Sequence, residues 1–313
     1  LYYRVKKAGL LESIKAFIYR QGEHDANDNA GALIWKESMV KHMDALKKEY
    51  PGLQQFYIPQ INVLEGNQGN QGLVRESQRQ LVNTSPLIKG FATIGTQGYD
   101  GVHYTPDGYF QSAAELYRIV SSTQYGAPEQ KSQYSPNIQR AYFSTSDKLN
   151  VVLEFDQPVI VQSDTAVANK NGQLIKRTIA ENLGFSAVKF NENYEWIIQN
   201  VKAVGNNVII QLYEPPAENR ISYIPSIHAT SELGPFAGPF IKNSQGLRAF
   251  AFQNVSIESP PSPNVLNSKV TFSQIPQDYQ LFPRDQKSNL GQMKISGSED
   301  SGNFSKISIL VLR

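Results

Sequence analysis

Among 313 residues there are four histidines, and histidine is the side chain best suited to move a proton near neutral pH. Two of them lie in polar loops. His24 is in Gln21-Gly22-Glu23-His24-Asp25, directly after a short apolar run, and His103 is in Asp100-Gly101-Val102-His103-Tyr104. The Asp100-x-x-His103 spacing lets a carboxylate on a tight loop reach the imidazole Nδ1, fix its tautomer and leave Nε2 to take a proton from a hydroxyl. The same pattern fits an Asp that caps the helix near Pro106 beside a merely exposed His. The run Gln21–Asn29 is equally open: an ordinary strand-to-helix loop, or a set of donors and acids at the edge of a site. His42 has the helical period of Met39 and Met43, and His228 follows Tyr223-Ile224-Pro225, so both read as surface or packing residues.

The elements that would position these loops divide the chain in two. From Leu1 to about Pro128, helical and strand periods alternate, as in α/β layers. Leu1–Ser13 reads as an amphipathic helix with Val5, Leu10 and Leu11 toward a core. Ala16–Arg20, Phe56–Val63 and Lys89–Thr93 read as strands; Ala32–Tyr50, Leu73–Leu81 and Tyr109–Val120 read as helices. Such alternation predicts a mainly parallel sheet with functional groups on loops at the carboxyl ends of the strands. Beyond Pro128, Asn150–Phe155, Phe185–Phe190, Trp196–Val204, Val208–Tyr213, Arg220–Ile224 and Ala249–Ile257 read as strands, with a hairpin turn at Gly205-Asn206-Asn207. That density of strands predicts an antiparallel sandwich. Phe155, Tyr194, Trp196, Tyr213 and Tyr223 are placed in its core. Ser259-Pro260-Pro261-Ser262-Pro263 is a stiff linker to a further β segment. The domains expected are therefore 1–128, 136–258 and 264–313, the last cut short.

Composition narrows the classes. Thirty Lys and Arg against 28 Asp and Glu give a formal charge of +2, with 19% charged residues, which lacks the electrostatic footprint of a nucleic-acid binder. No run approaches the roughly 20 apolar residues of a membrane span. There is no cysteine, which removes disulfides, thiolate metal sites and cysteine nucleophiles. No His, Asp and Glu spacing suggests a metal, and no cofactor is expected. Gly66–Gly72 lacks the Lys-Ser/Thr of a phosphate-binding loop and reads as a loop beside the site.

Taken together, three blocks carry a resemblance: Gln21, Gly22, Glu23, Asp25 and Ala26 after a strand; Arg75, Glu76 and Gln78 at a helix start; and Asp100 with His103 before a last helix. Their order over roughly Ile14–Val120 resembles the SGNH hydrolase superfamily, in its sialate O-acetylesterase-like branch of carbohydrate esterases. The resemblance implies a partial flavodoxin-like parallel sheet followed by β domains, and a serine esterase acting on an acetylated polysaccharide or glycan. It implies His103 as the general base and Asp100 as its orienting carboxylate. Gln21, with Gly22, occupies the oxyanion position, and Glu23 is expected buried behind it. One departure is large: the family's Gly-[Asp or Gln]-Ser block is missing from these 313 residues. The nucleophile is expected upstream of Leu1. The alternative is a non-catalytic cell-surface interaction or sugar-binding protein with an esterase-like domain. A secreted or cell-surface bacterial location, and a place in a larger surface assembly, follow from the resemblance as expectations.

Overall fold

A computed structural model describes residues 1–65, 69–185, 195–228, 233 and 236–260. Leu1–Pro260 forms one compact unit, and the expected segment 264–313 lies outside the described residues.

Helix α1 (Tyr2–Lys7) buries none of its residues, and Leu10, expected inside, is exposed. The short strand β1 (Ala16–Ile18) leads through the Gln21–Asn27 turns to α2 (Asn29–Glu49). Asp28 caps α2 by accepting from the backbone N–H groups of Ala30 and Gly31, which satisfies donors that have no partner within the helix. Ala32, Trp35, Met39 and Met43 form the buried stripe of α2 at helical spacing. After β2 (Gln55–Tyr57) comes α3 (Gln71–Val82), then β3 (Ile88–Lys89) and α4 (Pro106–Tyr125), which starts on Pro106 and stops at Gly126. β1, β2 and β3 are parallel in the order β1-β2-β3.

These strands are shorter than their apolar runs because side chains take over the ladder. Past β2, Ile61 N–H donates to Gln78 Oε1 and Leu64 N–H to Gln71 Oε1. Past β3, Ala92 N–H donates to Ser135 Oγ, and only the Gln60–Ala92 bridge continues the pairing. The backbone stays satisfied without regular strand geometry, so periodicity overshoots the strand ends.

The second half contains β4 (Ile138–Phe143), β5 (Asn150–Phe155), β6 (Ile160–Val161), β7 (Thr165–Ala168), β8 (Leu174–Arg177), β9 (Leu183–Gly184), β10 (Ile198–Val204), β11 (Asn207–Leu212), β12 (Arg220–Tyr223), β13 (Ile241–Lys242) and β14 (Phe252–Glu258). Seven of them form one mixed sheet, β10-β11-β5-β4-β14-β12-β9, in which β4 and β14 run parallel. β6–β13 and β7–β8 are separate two-stranded ribbons. The expected antiparallel sandwich is not clearly formed: the seven-stranded sheet is mixed and curled, and the two ribbons stand apart from it. Strand β4 escapes sequence reading because a bulge between Ile138 and Arg140 breaks its alternation. The hairpin at Gly205-Asn206 is present, with Gly205 at φ +58. The strand expected at Phe185–Phe190 falls mostly outside the described residues, as does Tyr194. Phe155 and Tyr223 are core residues, whereas Trp196 (64% exposed) and Tyr213 (68% exposed) are on the surface.

The two halves share one interior. Val63 and Ile94 from the α/β half join the core of the strand-rich half, beside Phe143, Leu153 and Phe252. Gln60 donates to Ala251 O and accepts from Ala251 N–H, both at 2.9 Å. Arg248 reaches across to a bidentate pair with Glu115 of α4, its Nη2 lying 2.9 Å from Oε2, and donates to the carbonyls of Ala92 and Ile94. Both partners are buried. Removing one partner of a buried pair leaves an uncompensated charge and costs about 3–5 kcal/mol. Arg248→Met is therefore expected to lower the urea unfolding free energy by about that amount, and Arg248→Met combined with Glu115→Met by clearly less, both measured by circular dichroism.

Candidate active site

Two loops beyond the carboxyl ends of β1 and β3 carry the residues singled out by sequence. The first is Gln21-Gly22-Glu23. Gln21 Oε1 accepts from Tyr19 O–H at 3.0 Å, and its Nε2 donates to Asp25 Oδ2 at 2.9 Å. One amide N–H of Gln21 is thus committed to Asp25, leaving the other for a ligand. Gly22 is buried at φ +148, and a Cβ there would lie 2.9 Å from both Gln78 Nε2 and Val74 Cγ1. Only glycine lets the loop pass this close to α3, where Gln78 Nε2 donates to Gln21 O. Glu23 is half-buried, not buried as expected.

The second loop is Tyr99–Tyr104, closed by a bridge between its end residues. Asp100 N–H donates to His103 O, Tyr99 O–H donates to Gly101 O at 2.9 Å, and Glu65 N–H donates to the same carbonyl at 3.0 Å. Asp100 Oδ1 accepts from the N–H groups of Val102 (2.8 Å) and His103 (2.6 Å), while Oδ2 lies 3.6 Å from His103 Nδ1. Both side chains face solvent, His103 at 78% and Asp100 at 63% exposure. The backbone N–H of His103, then that of Val102, hold the Asp100 carboxyl below the usual carboxylate range.

Tyr99 brings the three sequence blocks together. Burial first, then the neighbouring Tyr104, Glu23 and Asp100, push its hydroxyl well above its ordinary value, and Arg75 opposes them. Arg75 itself is fully buried. It donates to Gln71 Oε1, Asn62 O and Pro225 O, and burial pushes it down to about 9, which leaves it cationic at neutral pH. Glu76 pairs with Arg79 at 2.6 Å and accepts from Gln253 N–H. The Arg75, Glu76 and Gln78 block is therefore scaffold, joining the two loops to the strand-rich half.

Sequence reasoning passed over Arg20 and the packing of Tyr104 against it. The Arg20 guanidinium lies over the Tyr104 ring (4.4 Å) and near that of Tyr109 (5.3 Å), next to the His103 loop. The signal lies in the Tyr19-Arg20 pair directly after β1, which strand periodicity alone absorbs into the strand. His24 and His42 are exposed, the latter against Tyr19. His228 is buried, edge-on to Phe236 and bridged to Glu65. Among the described residues, no group of three or more His, Cys, Asp or Glu side chains is placed to hold a metal, and no helix is long and apolar enough to cross a membrane.

The small parallel sheet thus carries the Gln21–Glu23 and Asp100–His103 loops beyond its strands β1 and β3. Residues 2–121 match the model of a family described as carbohydrate esterase, sialic acid-specific acetylesterase. The match bears out, over this segment, the resemblance carried by the three sequence blocks. No curated protein matches the chain. Among solved structures, a novel carbohydrate acetylesterase from Xanthomonas citri aligns at a TM-score of 0.53 and 20% identity, covering 77% of this chain and 51% of that one. The likeness is one of fold, and the chain spans about half the length of that structure.

Asp100 gives the loop a pH dependence with a defined sign. A carboxyl whose pKa is depressed by folding stabilises the folded loop above the unfolded pKa, and that contribution fades as pH falls through the folded pKa. In an NMR titration the amide signals of Val102 and His103 are expected to move together, with a midpoint below that of an ordinary Asp. A midpoint at or above the ordinary value would contradict the backbone hydrogen bonds to Oδ1.

Proposed function

We propose that the chain is part of a carbohydrate O-acetylesterase whose base is His103, whose orienting carboxylate is Asp100, and whose serine lies outside residues 1–313. The observation that carries this reading is the Asp100–His103 geometry: Nδ1 faces a carboxylate oxygen at 3.6 Å while the imidazole stays open to solvent. In this mechanism the serine hydroxyl gives its proton to His103 Nε2 as its oxygen bonds to the acetyl carbonyl carbon. The resulting oxyanion takes a hydrogen bond from the uncommitted Gln21 N–H. Collapse expels the sugar oxygen, which takes the proton from His103, and water then releases acetate by the same route. Losing one oxyanion donor costs about 3 kcal/mol in such reactions.

The fold supports a supply of residues from further polypeptide. β1 pairs only with β2 among the described strands, and Ile18 on this edge is 59% exposed. The apolar Leu33 and Ile34 of α2 are also exposed. A strand added along β1 would bring its own carboxyl-end loop beside Gln21–Glu23, which is the position a serine needs. The family match supports an acetylated glycan as substrate, and such a substrate supports an exported protein.

In the complete polypeptide, His103→Ala is expected to lower kcat/KM for 4-nitrophenyl acetate by at least about 10³-fold with an unchanged circular dichroism spectrum. Asp100→Asn, which leaves the base in place, is expected to lower it less. Unchanged turnover in His103→Ala overturns the assignment of the base.

A further inference from the structure

A cavity of about 510 Å³ opens at the seam of the two halves, around strand β3. Its lining runs from Ser85 and Pro86 before β3 through Ile88 and Lys89 of that strand to Gly90, with Glu129–Asn137 and Phe250 from the other half. None of its lining residues belongs to either loop of the candidate active site. The volume falls in the range of about 300–1,000 Å³ typical of small-ligand sites. Its apolar lining residues are Val82, Pro86, Ile88 and Phe250, with the ring of Tyr134.

The hydrogen-bonding capacity of the walls is uneven. Both carboxylates already have partners: Asp156 pairs with Lys131 at 2.7 Å and accepts from Asn137 N–H, and Glu129 accepts from Tyr134 O–H at 2.6 Å. Burial first, then the bond to Glu129, push Tyr134 up to about 12, so this hydroxyl keeps its proton through the neutral range. The unused capacity is almost all on donors. Lys89 Nζ lies 5.1 Å from the Tyr134 ring centroid and forms no ion pair among the described residues. The hydroxyls of Ser135 and Ser85 accept from backbone N–H groups of Ala92 and Leu87, and their protons have no acceptor among the described residues. Asn83 spends its carbonyl on Asn137 and keeps its amide protons.

We propose that this cavity binds a carboxylate-bearing sugar unit, with Lys89 facing the carboxylate and Ser85, Ser135 and Asn83 donating to ring and hydroxyl oxygens. A ligand rich in acceptors and carrying one negative charge fills the unused donors. Glu129 and Asp156, close by, oppose a multiply charged anion such as phosphate but accept additional bonds from sugar hydroxyls. The carbon-bound hydrogens of a sugar ring cover the apolar surface of Phe250 and Tyr134. The site acts as an anchor for an acidic unit of a glycan, and it stands whether or not the Gln21–Glu23 and Tyr99–His103 loops take part in ester hydrolysis.

The test is calorimetric titration of the full chain with glucuronic acid, glucose and inorganic phosphate in parallel, independent of any enzymatic assay. Saturable binding of glucuronic acid is expected, at least about tenfold tighter than glucose and phosphate. Lys89→Met is expected to weaken glucuronic acid at least about tenfold, to roughly the level of glucose, with an unchanged thermal midpoint. Asn83→Ala, at an exposed position, is expected to weaken glucuronic acid and glucose alike and serves if the first variant does not fold. The assignment is overturned if glucuronic acid does not bind saturably, if phosphate binds more tightly, or if neither variant changes its affinity.

Discussion

The buried polar stripe of α3 is the constraint on which the rest of the structure depends. Gln71, Arg75 and Gln78 follow one another at helical spacing on the inward face of this helix, where Val74 and Leu81 supply the apolar contacts. Gln71 and Gln78 bind the backbone after β2 and so end that strand; Gln78 also holds the carbonyl of Gln21. Arg75 extends the same stripe to Asn62 and, across the seam, to Pro225. Buried polar groups are costly unless satisfied, and here Ile61 N–H, Leu64 N–H and the carbonyls of Leu64 and Asn62 meet side chains of α3. The helix thereby fixes where the parallel strands stop and where the loop bearing Gln21 and Glu23 begins.

The seam explains why the two halves form one compact unit. Sequence periodicity divides the chain near Pro128, because helical spacing gives way to alternation there. Yet Gln60 pairs with Ala251 in the manner of a strand neighbour, and Arg248 stands against Glu115 while also binding the carbonyls of Ala92 and Ile94. Those carbonyls lie a few residues before the Tyr99–Tyr104 loop. Thr93 continues the line, donating to Gln60 O and accepting from Tyr104 O–H. The strand-rich half therefore helps to set the position of the Asp100–His103 loop, a role that strand alternation cannot reveal because it is carried by side chains far apart in sequence.

What was legible in the sequence was local. The strand-helix order of the first half, the parallel sheet, the Gly205 hairpin and the Asp100–His103 spacing all depend on residues within a few positions of each other. The extent of each strand was not legible, because Gln78, Gln71 and Ser135 end the ladders from elsewhere in the chain. Trp196 and Tyr213 were placed inside because they are large and aromatic, but hydrophobicity does not distinguish the two faces of a sheet whose register is unknown. The buried state of Arg75 was hidden for the opposite reason: a charged residue reads as surface until three acceptors converge on it.

Asp100 shows how the two readings of a short motif merge. Its Oδ1 does what a capping aspartate does, accepting two backbone N–H groups and closing the turn, while Oδ2 remains for the imidazole at 3.6 Å. A spacing of three is what permits both, since the carboxylate must reach the backbone N–H and the ring of the same residue. The loop-forming bonds also lower the carboxyl pKa and keep it ionised, which is the state that can orient and stabilise an imidazolium. At this site the structural role of the aspartate is a physical precondition of the proposed catalytic one, because a turn held by Oδ1 places the His103 ring 3.6 Å from Oδ2.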